Sequence, residues 1–199
     1  MKAAVFVRRS GAFGLGHTGW MFQHADATFN DGSVENGSGE PVVPPGKTDF
    51  WSETVADPGP PMRRHGYDEF KLLEVDPAAP LEAEATVAWV AQQPYLVLGR
   101  NCMDDTYDVL RSFGAKGLPL PVFRLAPNFW YDTIDAVSHP IAQAGPPLLG
   151  AAAPVMPARP AAPAPAAAVR PPWRTAGTPE WLEFQRAIHR DVIGRNTVW

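Results

Sequence analysis

The segment "AQAGPPLLGAAAPVMPARPAAPAPAAAVRPPWR" is built almost entirely from Ala and Pro. Such a composition buries too little apolar surface to offset the conformational entropy lost on ordering, so no core can be drawn from it. It reads as a disordered, proline-stiffened linker over residues 141–177. A folded domain must then come from residues 1–140, which is enough chain for one core. Helix-forming sequence returns in "TPEWLEFQRAIHRDVIG", with Thr178 as N-cap, Pro179 in the first turn and Gly194 as the stop. Trp181, Phe184 and Ile188 recur at spacings of three and four, which makes residues 178–199 an amphipathic C-terminal helix. A lone helix of that length is marginal in water, so this apolar face calls for a docking surface on a larger protein assembly. About 30 linker residues at about 3.1 Å each give it a reach of up to about 90 Å.

Charge and cysteine usage narrow the class of protein. The formal net charge is −4 and the Lys and Arg residues are scattered without a basic stripe, which argues against nucleic acid as a partner. One cysteine in 199 residues allows no internal disulfide, so packing alone must hold the fold, as suits a reducing compartment. The opening "MKAAVFVRRSGAFGLG" breaks its apolar run at Arg8 and Arg9, too soon for a signal-peptide core, and no apolar run is long enough to span a membrane. The expectation is a cytoplasmic protein.

Along the domain, "AAVFV" (3–7) reads as a buried strand. "GHTGWMFQ" (16–23) and "ATFNDGSVEN" (27–36) flank a polar turn and suggest a hairpin. Residues 37–64 are rich in Gly and Pro and are expected to form a long structured loop pinned by Phe50 and Trp51. "YDEFKLLEVD" (67–76) is a further strand. "PLEAEATVAWVAQQ" (80–93) is a helix, with Leu81, Ala85, Ala88, Trp89 and Gln92 at helical spacing and prolines at both limits. "PNFWYDTIDAV" (127–137) is a short helix.

The only cysteine lies in "NCMDDTYDVLRSFG". Asn101 can cap a helix, Asp104 stands three residues on, where a capping-box carboxylate belongs, and Gly114 can end it. Cys102 falls in the first turn, on one side with Thr106, Val109, Leu110 and Phe113. The positive helix end favours a thiolate there, while Asp104 and Asp105 oppose it, so a nucleophile would need a nearby base. Of the five histidines, His189 lies on the tail helix, His139 at the linker edge, His24 in the hairpin turn and His65 after a doubled arginine in the loop. His17, beside a glycine at the start of a strand, is the best placed to serve as base.

"GHTGW" followed by "NCMDDTYDVL" resembles the circularly permuted papain-like fold of the NlpC/P60 superfamily, in its lecithin:retinol acyltransferase-like branch. The resemblance covers residues 1 to about 135 and is carried by those two motifs. It implies an α+β fold in which an antiparallel sheet packs against the nucleophile helix, with Cys102 as nucleophile and His17 as general base. A third polar residue on the following strand would orient the imidazole. A hairpin turning on Ala25 alone sets His17 opposite Ser33, on one face with Glu35, and a shift of one residue substitutes Asn36. Asn36 is preferred as the neutral amide, with Glu35 as the alternative. The backbone N–H of Cys102 would serve the oxyanion, and Trp20, Trp51 and Trp130 would wall a substrate groove.

The implied activity is that of a cysteine peptidase or amidase-type hydrolase, or an acyl transferase. Its substrate would be peptide-like or acyl, its target an amide, isopeptide or (thio)ester bond, and it would need no cofactor. The alternative is a non-catalytic interaction protein of the same fold, recruited to an assembly by its C-terminal helix. No HExxH, CxxC or P-loop spacing supports a metal or nucleotide enzyme.

Overall fold

The computed structural model describes residues 1–97, 100–121 and 126–141 of the chain. Its centre is a six-stranded sheet in the order β5-β3-β2-β1-β6-β8. The strands are β1 (Ala3–Arg8), β2 (His17–Gln23), β3 (Phe29–Glu35), β5 (Asp49–Val55), β6 (Glu69–Leu73) and β8 (Ser138–Pro140). Every pairing within it is antiparallel. A two-stranded ribbon joins β4 (Val42–Val43) to β7 (Tyr95–Leu96). The helices are α1 (Gly59–Arg64), α2 (Pro80–Val90), α3 (Cys102–Phe113) and α4 (Pro127–Asp132). The fold is thus α+β with an antiparallel sheet.

Both faces of the sheet are covered, which is why β1 is apolar at successive positions instead of alternating with polar ones. Ala3, Val5, Val7, Trp20, Phe22 and Val34 face the helices and pack with Val109, Leu110 and Phe113 of α3. Ala4, Phe6, Met21 and Phe29 face the other way, onto Met62, Tyr67, Phe70 and Ile141. Lys71 anchors α4: its Nζ donates to the Tyr131 and Ile134 carbonyls at 3.0 and 2.8 Å, a cation set at the end of a helix where carbonyls lack partners.

Several expectations need correction. The region 37–64 is not one loop, because Asp49–Val55 pairs with β3 along seven residues and Gly59–Arg64 is helical. Its Gly- and Pro-rich flanks masked the strand, and Phe50 and Trp51 belong to opposite sheet faces. In α2 the buried residues are Ala83, Thr86, Val87, Trp89 and Val90, whereas Leu81 is 77% exposed. The helix rolls its small and β-branched residues onto the core. α4 stops at Asp132, earlier than its sequence suggested. Residues 142–199, with most of the linker and the tail helix bearing Trp181, Phe184 and Ile188, lie outside the described residues.

α3 ends on Gly114 at φ +100°, and a Cβ there would come within 1.9 Å of the Pro77 carbonyl oxygen. The left-handed backbone and the contact with main chain both demand glycine. Gly114→Ala is expected to cost about 2–4 kcal/mol, seen as a lower urea midpoint at an unchanged m-value.

Candidate active site

The N-terminus of α3 is closed by a capping box. Asn101 Oδ1 accepts from Met103 N at 2.9 Å, and Asp104 Oδ2 accepts from Asn101 N at 3.2 Å. Cys102 is therefore held as the first residue of a rigid helix, and it is only 2% exposed. Arg100 lies over the Trp89 ring at 4.2 Å and pairs with Asp105 and with Asp108, which offsets the Asp105 charge that acts on the thiol.

The start of β2 supplies the thiol's surroundings. The β2–β3 pairs run from Gln23↔Phe29 to Trp20↔Gly32. Beyond them the main chain of Thr18 turns to side chains instead: its carbonyl accepts from Ser33 Oγ at 2.9 Å, and its N–H and hydroxyl reach the sulfur of Cys102, as does the Tyr95 hydroxyl. These donors favour a thiolate, but burial outweighs them and, with Asp105 adding to it, pushes the thiol up to about 11. The order of effects is physical. A helix end is worth about 1 kcal/mol, under one pK unit, whereas full burial can move a group by about 3–5 units.

His17 is 5% exposed at the first position of β2. Its Nε2 lies 2.8 Å from Ser33 Oγ and 3.8 Å from Glu35 Oε1. Ser33 has one hydroxyl proton and donates it to Thr18 O, so its oxygen must accept from His17 Nε2–H. That assigns the proton to Nε2 and leaves the lone pair on Nδ1. Burial first, then the charges of Arg8 and His65, pull the His17 pKa down to about 3. Thiol and imidazole are both neutral at rest.

The remaining expected residues separate. Asn36 is committed to a turn, its Nδ2 donating to Glu40 O at 2.7 Å and its Oδ1 accepting from Ser38 Oγ and Gly39 N. The preference for it is corrected: Ser33 and Glu35 stand at the imidazole, because the observed register puts both on the His17 face of β3. Trp20 and Trp130 are fully buried, their indoles donating to Asn30 Oδ1 and Pro119 O, so they are core and wall no groove. Trp51 is half-buried and donates to Glu35 Oε1 at 3.3 Å.

Four residues at the site had no local signal. Thr18 and Tyr95 contact the thiol. His65 stacks on Trp51 with ring centroids 3.8 Å apart and planes 6° apart, and its Nδ1 is 3.6 Å from Glu35 Oε1. Tyr67 is fully buried beside His17, with ring centroids 5.9 Å apart, and its hydroxyl faces Ser33. A Cβ on Gly19 would lie 2.7 Å from that hydroxyl, so the glycine makes room for it. His24, placed in the hairpin turn by the sequence, is buried with Nδ1 3.2 Å from Glu84 Oε1, because α2 covers that turn.

Among the described residues no group of three or more His, Cys, Asp or Glu side chains is placed to hold a metal ion, and no helix is long and apolar enough to cross a membrane. Compared with known proteins, the chain matches no family model, no curated protein and no solved structure.

Two measurements test the neutral thiol and imidazole. Between about pH 3 and 6.5 the unfolded chain binds a proton at His17 that the folded state refuses. Stability from this group is therefore full above pH 6.5 and falls as pH drops, by up to about 1.4 kcal/mol per pH unit. Urea midpoints of His17→Gln should lose that part of the slope relative to wild type. Alkylation of Cys102 by iodoacetamide should rise continuously to about pH 10. A plateau near neutrality would contradict the protonated thiol.

Proposed function

We propose that this chain is a cysteine hydrolase or acyl transferase of the permuted papain-like, NlpC/P60 type. Its nucleophile is Cys102 and its general base His17. The observation that carries the reading is the hydrogen bond of His17 Nε2 to Ser33, with Glu35 Oε1 3.8 Å away, which leaves the Nδ1 lone pair free on the strand whose next residue, Thr18, lies against the thiol.

The chemistry starts from neutral partners. The thiol proton passes to His17 Nδ1 as Sγ bonds to the carbonyl carbon, so no standing thiolate is needed. The oxyanion would form over the N-terminus of α3, where the backbone N–H of Cys102, which lies against the Tyr95 hydroxyl, would have to turn to it. Glu35 faces the Nε2–H of the imidazolium formed in this step and stabilises it. The imidazolium then protonates the leaving amine, alcohol or thiol, and a thioester remains on Cys102. Water deprotonated by His17, or an amine, releases the acyl group. The substrates are peptide-like or acyl compounds with an amide, isopeptide or (thio)ester bond.

A second reading has its own support. The thiol is 2% exposed and burial keeps it protonated, as expected for a packed cysteine in a non-catalytic protein of similar fold. Its tail helix would then do the work, binding a larger assembly through Trp181, Phe184 and Ile188.

The deciding experiment incubates the full chain with activated esters, thioesters and peptide amides and reads the intact mass. A covalent acyl adduct on Cys102 is expected, absent in Cys102→Ala and slowed at least about a hundredfold in His17→Ala, the usual scale of general base catalysis. Turnover retained by Cys102→Ala would remove the proposal, and no adduct with any class would favour the binding protein.

A further inference from the structure

Glu35 occupies an unusual position. Its Oε1 has three nitrogen neighbours: His17 Nε2 at 3.8 Å, His65 Nδ1 at 3.6 Å and Trp51 Nε1 at 3.3 Å. Its Oε2 lies 3.3 Å from Arg8 Nη2, and the same guanidinium donates through Nη1 to the His65 carbonyl at 3.0 Å. One carboxylate oxygen thus stands between two imidazoles. One ring is buried at the start of β2, the other partly exposed at the end of α1.

We propose that Glu35, His65 and Trp51 form a second layer of the site, in which Glu35 is shared between the two histidines and His65 is the positioning residue that sets the basicity of His17. The catalytic half of this inference rests on the reading of His17 as a base. The coupling of the two rings does not.

The groups around His65 support a single direction of effect. Glu35 reaches it from β3, Arg8 from β1, Trp51 and Glu53 from β5, Arg64 is its neighbour on α1, and His17 lies across Glu35 on β2. Arg64 is paired to Glu53, which leaves Glu35 as the carboxylate facing the ring. Trp51 stacks on His65 while its N–H holds Oε1, so the carboxylate has little freedom to swing toward one ring alone.

While His65 is neutral, the charge of Glu35 is available to the imidazolium that forms at His17. A proton on His65 claims that charge and places a cation near His17, which lowers the basicity of the buried ring. Burial lowers the His65 pKa below its usual 6.5, so the loss occurs on the acid side of neutrality. At an effective dielectric of about 20, two charges about 7 Å apart interact strongly enough for about a fiftyfold change in an equilibrium constant, which solvent at the partly exposed His65 reduces to about tenfold.

Nitrogen-15 imidazole NMR of the full chain provides the test without requiring any substrate. The expected result is that the His17 ring shows an inflection at the titration of His65, and that this inflection vanishes in His65→Gln and shrinks in Glu35→Gln, where only the direct repulsion between the rings is left. Trp51→Phe retains the stack but removes the indole donor, and should weaken the inflection. A His17 ring indifferent to the His65 titration, in a wild type where both rings are observed, would overturn the inference. If Cys102 acylates, its rate in wild type should fall on acidification through the His65 titration, and His65→Gln should be about tenfold faster at the acid end. Equal acid limbs in the two proteins would overturn the catalytic half. Ring coupling without any acylation would instead leave the second layer standing and remove the hydrolase.

Discussion

Thr18 stands where the β2–β3 ladder has ended, and the candidate site depends on what its backbone does there. In a continued ladder its N–H and carbonyl would be spent on β3. Here the carbonyl takes the Ser33 hydroxyl proton and the N–H reaches the Cys102 sulfur. The first of these bonds sets the tautomer of His17 by leaving Ser33 only its lone pairs. The second sets a donor beside the thiol in the first turn of α3. A single stretch of main chain, released from β3 but still paired to β1, thus carries the imidazole and lies against the thiol, and it shapes the hydrogen bonding of each.

Burial then decides the charges. The thiol and the imidazole both lie in surroundings dry enough to keep them uncharged, and the helix end, worth about 1 kcal/mol, cannot reverse that for the thiol. In the proposed reaction, chemistry from this ground state is proton transfer during attack, with Glu35 stabilising the charge that develops on His17. The same argument explains the weight placed on Glu35, because a carboxylate near a buried ring acts in a lower dielectric than one in water.

The legible parts of this fold were those encoded in local patterns. The hairpin of β2 and β3, the apolar run of β1 and the capping box at Asn101 and Asp104 each follow from residues within a few positions of one another. β5 was hidden, since its alternation is short and its flanks are rich in Gly and Pro. The buried side of α2 was misjudged because Leu81 is exposed while Thr86, which hydrogen-bonds its own helix at Glu82 O, is buried. Asn36 and Glu35 differ by one residue, and a shift of one exchanges the faces of a strand, so only the observed register chose between them. His65 lies 30 residues from Glu35 and 48 from His17, and nothing in its neighbourhood marks it.

By itself the sequence determined that β1, β2, β3 and β6 are strands and α2 a helix, and that a lone cysteine opens a capped helix after a histidine-led strand. Those are consequences of composition, periodicity and capping, which act over a few residues. The tertiary structure alone decided that Thr18 would hold the thiol, that Ser33 and Glu35 would hold His17, that His65 would share Glu35, and that Trp20 and Trp130 would be core. Each of these depends on register and on which face of an element is buried, and those are settled only when distant segments exclude water from one another.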